Sequence, residues 1–251
     1  MGKIVVIGGG EIGRPGYPVE TTKIDKEIIK LTNKSKPKLL FIPTASSDSE
    51  LYVNCVNKHF GKRLGCKVDA LYLLNKKKEN IADKILNSDI IYVGGGNTLK
   101  MMKRWHLLGV DKLLKKAYKK NIVLSGLSAG GICWFEYGHS DSMSFYNPNS
   151  WKYIRVKGLG LIKGIHCPHF DSATEGKKRK KEFMEFMKKY SDMGIAIDDC
   201  CAIEFVDKKY RVISTKKKAN AYKIYKKNNK IKIELIKKEK EYTSIKELYK
   251  K

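Results

Sequence analysis

The feature that most restricts how this chain can fold is a repeated unit. A short apolar run enters a turn rich in Gly, Pro, Ser or Thr, and an amphipathic stretch follows. Apolar runs occur at Lys3–Ile7, Lys38–Ile42, Val68–Leu73, Asp89–Val93 and Asn121–Leu124. Each is short and bounded by turn residues, so each reads as a strand buried on both faces. Residues 20–33, 49–63, 79–87, about 98–105 and 110–119 read as helices. In the first of these, Ile24, Ile28 and Leu31 share a face, with Ile29 at its edge. Alternation of this kind implies an α/β fold of three layers: a mainly parallel sheet with helices on both faces. In such sheets ligands bind beyond the carboxyl ends of the strands.

After residue 140 the rhythm changes. A polar stretch leads into Gly158–Gly164, then Ile165–Asp171, then a strongly basic helix over 175–190. Ile195–Ile197, Ala202–Val206, Arg211–Ser214, Ala221–Tyr225 and Ile231–Ile236 read as strands joined by polar turns, which suggests antiparallel strands at the sheet edge. No linker or internal repeat interrupts residues 1–251, so one domain is expected, with a Lys-rich tail after about 237 that forms a short, frayed helix.

Composition narrows the class. Hydrophobic residues make up 42% of 251, a globular balance. No segment reaches the ~18 apolar residues that span a bilayer. The first apolar run ends in glycines and fits a strand rather than a signal peptide. Gly2 lacks the downstream Ser or Thr of a myristoylation signal, so a cytoplasmic protein is expected. The six cysteines show no CxxC spacing and read as free thiols. The formal charge is +26. Lysines are spread over polar faces, arginine is scarce, and no basic motif is interleaved with aromatics. Weak attraction to polyanions at low salt is therefore expected, but no specific nucleic-acid partner and no membrane.

Four stretches could carry chemistry. Gly126-Leu127-Ser128-Ala129-Gly130-Gly131 fits G-x-S-x-G at a strand-to-helix junction. Small neighbours let a serine Oγ stand exposed on a sharp turn, and the Ala129 N–H at the helix start can donate to an oxyanion. The bland reading is a plain connecting turn. Gly94-Gly95-Gly96-Asn97-Thr98 follows a buried strand and suits close backbone approach to a ligand, or simply a capped βα turn. His166-Cys167-Pro168-His169-Phe170-Asp171 offers His166 and His169 as bases for the serine. His59 and His106 sit in helical patterns and look structural, while His139 lies close behind the serine turn. A metal site from His166, Cys167, His169 and Cys200 lacks zinc-like spacing, so no metal and no organic cofactor are expected. Asp198-Asp199 after an apolar run could orient a histidine, and Asp141 competes for that role. Gly8, Gly10 and Gly13 also fit G-x-G-x-x-G. However, Pro15, Gly16 and Pro18 oppose a helix there, and no acid follows the next strand, so dinucleotide binding is not expected.

Taken together, GGGNT after one strand, GLSAGG after the next, then PHF and an acidic turn resemble the peptidase E and cyanophycinase-like serine peptidases, from the N-terminus to about residue 215. That family is similar in fold to class I glutamine amidotransferases, with Ser in place of the nucleophilic Cys. The resemblance implies Ser128 as nucleophile, His169 as base, and the Gly96 and Ala129 N–H groups as oxyanion donors. It implies an acid in the Ile197-Asp198-Asp199 turn, at Asp199, where the family commonly has the longer Glu; Asp141 matches a second position considered for the acid. It implies a small peptide substrate bearing an N-terminal aspartyl group, or a β-aspartyl linkage as for cyanophycinases, and a cation near the site. An esterase of the α/β-hydrolase type, with Asp141 as acid, and a non-catalytic protein that binds a small anion are the rivals. Monomer and homodimer both remain open.

Overall fold

The computed structural model describes residues 2–74 and 80–251. Strands β1 (Lys3–Ile7), β2 (Lys38–Ile42), β3 (Lys67–Ala70), β4 (Ile90–Val93) and β5 (Val123–Leu127) run parallel in the spatial order β1-β5-β4-β2-β3. Helices α1 (Thr22–Lys30), α2 (Glu50–Val56), α3 (Ile81–Leu86), α4 (Thr98–Leu108) and α5 (Val110–Lys119) connect them. Residue 79, the first of one expected helix, lies outside the described residues. The helix begun by α2 continues as a π-helical segment over Asn57–Arg63.

Side chains alternate across these strands with period two. Ile4, Val6, Leu40, Ile42, Ile91, Val93 and Leu124 pack with Met101 and Trp105 of α4 and with Val110 and Leu114 of α5. Val5, Ile7, Leu39, Phe41, Ile90, Tyr92 and Val123 pack on the other face with Ile24 and Ile28 of α1 and with Cys55 and Val56 of α2. Both faces of β1, β2, β4 and β5 are therefore dry, which is why these four strands read as apolar runs rather than alternating ones, whereas β3 at the edge exposes Lys67 and Asp69.

Beyond β5 the helix expected after Ser128 is a single turn, α6 (Ala129–Ile132). Two of its four residues are glycine, and the chain passes at once into β6 (Phe135–Ser140). There follow β7 (Ile154–Lys157), β8 (Ile162–Cys167), a small hairpin of β9 (Ala173–Thr174) and β10 (Lys177–Lys178), α7 (Arg179–Met187) and β11 (Gly194–Ile197). The chain continues through β12 (Cys201–Val206), β13 (Lys209–Ser214), β14 (Ala221–Lys227), β15 (Lys230–Ile236), β16 (Thr243–Ser244) and α8 (Ile245–Leu248). The C-terminal strands were expected at the edge of one sheet; they divide between two. β12, β13 and β16 extend the main sheet antiparallel beyond β1. β11, β14 and β15 join β6, β7 and β8 in a second sheet, ordered β15-β14-β11-β8-β6-β7, in which β6, β8 and β11 are parallel. Alternation within a strand specifies which residues face inward, but not which sheet the strand joins.

The second sheet packs one face on the main core, through Ile162, Ile195 and Ile197. Its other face is covered by Phe183 and Met187 of α7. All six cysteines are buried and unbridged. Among the described residues, no helix is long and apolar enough to cross a membrane.

Candidate active site

Four backbone turns meet beyond the carboxyl ends of β1, β4, β5 and β8. At the end of β5, Ser128 has φ 55° and ψ −114°, a left-handed conformation for a non-glycine residue. Such a conformation costs on the order of 1–3 kcal/mol and holds the side chain up on a sharp strand-to-helix turn. The Ser128 N–H donates to the Ile7 carbonyl at 3.1 Å, so it is not free for a ligand. The next amide, Ala129 N–H, opens α6 and has no partner among the described residues.

The Gly94–Gly96 turn after β4 runs directly alongside. A methyl group on Gly95 would lie 3.3 Å from Ser128 Cβ. Gly96 has φ +131°, and a Cβ there would stand 2.3 Å from the Ala45 carbonyl oxygen, so only glycine fits. Its N–H also lacks a partner among the described residues. Asn97 then caps α4, accepting the Lys100 N–H at 2.9 Å. The Gly96 and Ala129 N–H groups are thus both free beside Ser128.

His169 follows β8, also at positive φ (52°). Its Nδ1 lies 2.6 Å from Asp199 Oδ1. The second Asp199 oxygen accepts the Ser172 hydroxyl at 2.6 Å, and the Asp199 N–H donates to Asp171 at 2.8 Å. Burial works to raise the Asp199 carboxyl, but the hydrogen bond and charge of His169, with Ser172 and Lys216 behind them, hold it below the usual carboxylate range. Asp199 is therefore an anion facing one imidazole nitrogen, and the other nitrogen is left for the pocket.

Asp141 does not join this group. Its carboxylate pairs with Arg179 Nη2 at 3.0 Å, and the Arg179 side chain is only 2% exposed. The turn after it braces the glycine turn from behind: Ser142 Oγ accepts the Leu99 N–H at 3.0 Å. The remaining histidines are also engaged elsewhere. His166 lies under Phe135 with Nδ1 on the Ile195 carbonyl, and burial first of all pushes its pKa down to about 3. His139 is stacked on Tyr153 and buried. His59 pairs with Asp25, and His106 with Asp111. His166, Cys167, His169 and Cys200 do not converge: no cluster of three or more potential ligands occurs among the described residues.

The residues that sequence reasoning missed lie in the first glycine turn. Gly8 O accepts the His169 N–H at 3.2 Å, and Gly9 O accepts the Cys200 N–H at 2.9 Å. A Cβ on Gly9 would meet Asp199 Oδ1 at 2.0 Å and His169 Nδ1 at 2.4 Å. The glycine turn serves close approach to the turns that carry His169 and the Asp198–Asp199 pair. No helix opens there, since α1 starts at Thr22.

Glu11, Arg14 and Tyr52 were missed too. With Gly95, Gly96, Ser128 and His169 they line a cavity of about 370 Å³. Glu11 Oε1 accepts the N–H groups of Ile12, Gly13 and Arg14, and its Oε2 holds the Arg14 guanidinium at 2.7 Å. The Arg14 guanidinium lies 5.1 Å over the Tyr17 ring. Nothing in the sequence distinguishes Arg14 from the other cations; only the fold brings it to the serine.

Comparison with known proteins matches residues 4–213 to peptidase family S51. The chain belongs to this family. The S51 sequence is 32% identical over 227 residues to the uncharacterized peptidase YgaJ of Bacillus subtilis (strain 168), covering 89% of this chain and 92% of that protein. It is 27% identical over 202 residues to a Nostoc protein named peptidase E, covering 76% and 78%. Among solved structures, a peptidase from an acI-B1 Actinobacterium superposes with a TM-score of 0.69 at 19% identity, over 97% of both chains. A putative peptidase E protein from Listeria monocytogenes EGD-e superposes with 0.65 at 20%, over 85% of this chain and 98% of the other. These likenesses show the fold, a mixed α/β architecture with a mostly parallel main sheet flanked by helices. As a member of family S51, the protein is a serine-type peptidase.

Proposed function

We propose that this peptidase releases N-terminal aspartyl residues, or closely related acidic residues, from small peptides through an acyl-enzyme on Ser128. The observation that carries the reading is the 2.6 Å His169–Asp199 hydrogen bond at the wall of the pocket that also holds Ser128. The Ser128 Oγ attacks the scissile carbonyl carbon while the free nitrogen of His169 takes its proton. Asp199 fixes the imidazole tautomer and remains a carboxylate throughout. The carbonyl oxygen becomes an oxyanion, received by the Gly96 and Ala129 N–H groups. Collapse breaks the C–N bond, and the amine leaves with the proton from His169. Water, deprotonated by the same imidazole, then releases the acid from Ser128.

Arg14 supports the aspartyl preference. Among the described residues it is the Lys or Arg that lines the Ser128 cavity, and Glu11 and Tyr17 fix its direction. The rival esterase reading requires Asp141 to orient the base, and Asp141 is engaged by the buried Arg179 instead.

The test is hydrolysis of Asp-X dipeptides by the wild type and by Ser128→Ala. Turnover by the wild type that vanishes in the variant is expected. Turnover that survives the substitution removes Ser128 from the mechanism. Absence of turnover in both removes the aspartyl dipeptidase reading and favours a protein that only binds an anion.

A further inference from the structure

The Ser128 cavity does not end at Arg14. It runs on, past Ile12, Arg14, Leu51 and Cys55, into a larger groove of about 650 Å³. One wall is the loop from Ile12 to Val19. The other is a single face of α2 and its π-helical continuation, where Leu51, Asn54, Cys55, Lys58 and Lys62 recur at helical spacing. Among the described residues, Arg14, Lys58, Lys62 and Arg63 line this groove as cations, and no Asp or Glu does. Lys58, Lys62 and Arg63 form no ion pair among the described residues. The one carboxylate at the junction, Glu11, is spent on three backbone N–H groups and on Arg14.

This is not the general basic character of the surface. Lys58 and Lys62 are four residues apart in the π-helical segment and both line the groove, so two like charges are held close together on one wall. The other arginines of the chain are engaged: Arg104 on the Leu73 carbonyl, Arg155 on Asp192, Arg179 on Asp141, Arg211 on Glu204. Arg63 is left open to the groove. Between the cations the walls are apolar, with Leu51 and Tyr17 each 60% exposed.

We infer that this groove is a second binding region for the substrate, which receives an acidic peptide segment of several residues. The orientation rests on the proposed activity: if the acyl half is a single residue, the groove takes the half that leaves. The protein then prefers acidic oligopeptides to dipeptides, because carboxylates beyond the scissile bond meet Lys58, Lys62 and Arg63 while the chain lies along Leu51 and Tyr17.

The test is binding, which separates this inference from the catalytic one. Ser128→Ala is titrated with a fluorescein-labelled hexapeptide of Asp and Glu and with its Asn/Gln counterpart, in about 0.1 M salt, where charges are screened beyond ~10 Å. The acidic peptide is expected to bind on the order of tenfold more tightly. Lys58→Glu/Lys62→Glu in the same background abolishes the difference, and Lys58→Gln/Lys62→Gln reduces it. Lys112→Glu/Lys115→Glu, on α5 across the main sheet, leaves it intact. Equal binding of the two peptides, or equal loss in the α5 control, overturns the inference and leaves only the net charge at work. Tight binding of a single-stranded oligonucleotide that is lost in the α2 variant, with no acidic-peptide binding, overturns it in favour of a nucleic acid.

Discussion

Replacing Asp199 by Asn keeps the side chain's shape and removes its charge. In the wild type, Asp199 Oδ1 accepts from His169 Nδ1 at 2.6 Å, and Oδ2 accepts from Ser172 Oγ at 2.6 Å. An Asn amide carries one acceptor and one donor. If its oxygen stays with Ser172, its NH₂ faces His169 and forces the proton onto the nitrogen that should take it from Ser128. Loss of the correct tautomer in a triad is worth about 10⁴ in kcat. Stability should change little, because both groups are about a third exposed. Asp141→Asn should behave in the opposite way. It removes the anion paired with Arg179, whose Nε and Nη1 already lack partners in the buried interior. Leaving that guanidinium without its counter-charge costs about 1–3 kcal/mol of stability, with kcat per folded molecule unchanged. The assay is steady-state hydrolysis of an Asp-X dipeptide, paired with urea denaturation of each variant. A 10⁴-fold loss in folded Asp141→Asn, with activity retained in Asp199→Asn, would refute the assignment and restore the Asp141 triad.

Three other outcomes are expected. Gly9→Ala places a methyl 2.0 Å from Asp199 Oδ1, so the dyad must move; a shift of about 1 Å lowers kcat on the order of 10²-fold, and an unaltered kcat would show that the turn yields elsewhere. Arg14→Met should raise KM for Asp-X dipeptides at least about tenfold and leave KM for Asn-X unchanged; equal effects on both would mean that Arg14 does not contact the side-chain carboxylate. Asp198 is buried, and burial, aided by the charges of Asp171 and Asp199, raises its pKa to about 6. Its folded pKa lies above the unfolded value of ~4, so the fold favours the protonated form, and stability falls as pH rises between those values, by about 1–3 kcal/mol once above pH 6. Asp198→Asn keeps an acceptor for the Asn220 N–H and should be more stable than wild type at pH 8 but not at pH 4; a difference that does not vary with pH contradicts this.

Much of the frame was legible before the structure. Of the five parallel strands, β1, β2, β4 and β5 announced themselves because both their faces are dry, and Ser128 because a turn at φ 55° needs small neighbours. The two-sheet division was not legible, since Ile195 and Ile203 look alike in sequence although they enter different sheets. Asp141 and Asp199 could not be separated by residue type; the difference is whether Arg179 or His169 comes into reach, and both contacts span about 30 or more positions of chain. Gly9 occupies the unspecified position between Gly8 and Gly10, so a pattern with a better-known meaning passed over it. Arg14 carried no local signal at all, because its place beside Ser128 depends on a loop returning across the mouth of another segment's pocket.

Ser128, His169 and Cys200 all have φ between 52° and 62°, and all three border the site. At Ser128, a glycine would relax the backbone; at His169 and Cys200 that gain is offset by the lost Asp199 hydrogen bond and by a cavity in the core. Selection for heat resistance alone would therefore erode this enzyme at its centre. The first substitutions enriched by a thermal screen should include Ser128→Gly, which relaxes the backbone and, on the proposed mechanism, discards the nucleophile. Persistence of a serine at such a position is the signature of a chain kept for what it does, at the expense of how firmly it holds together.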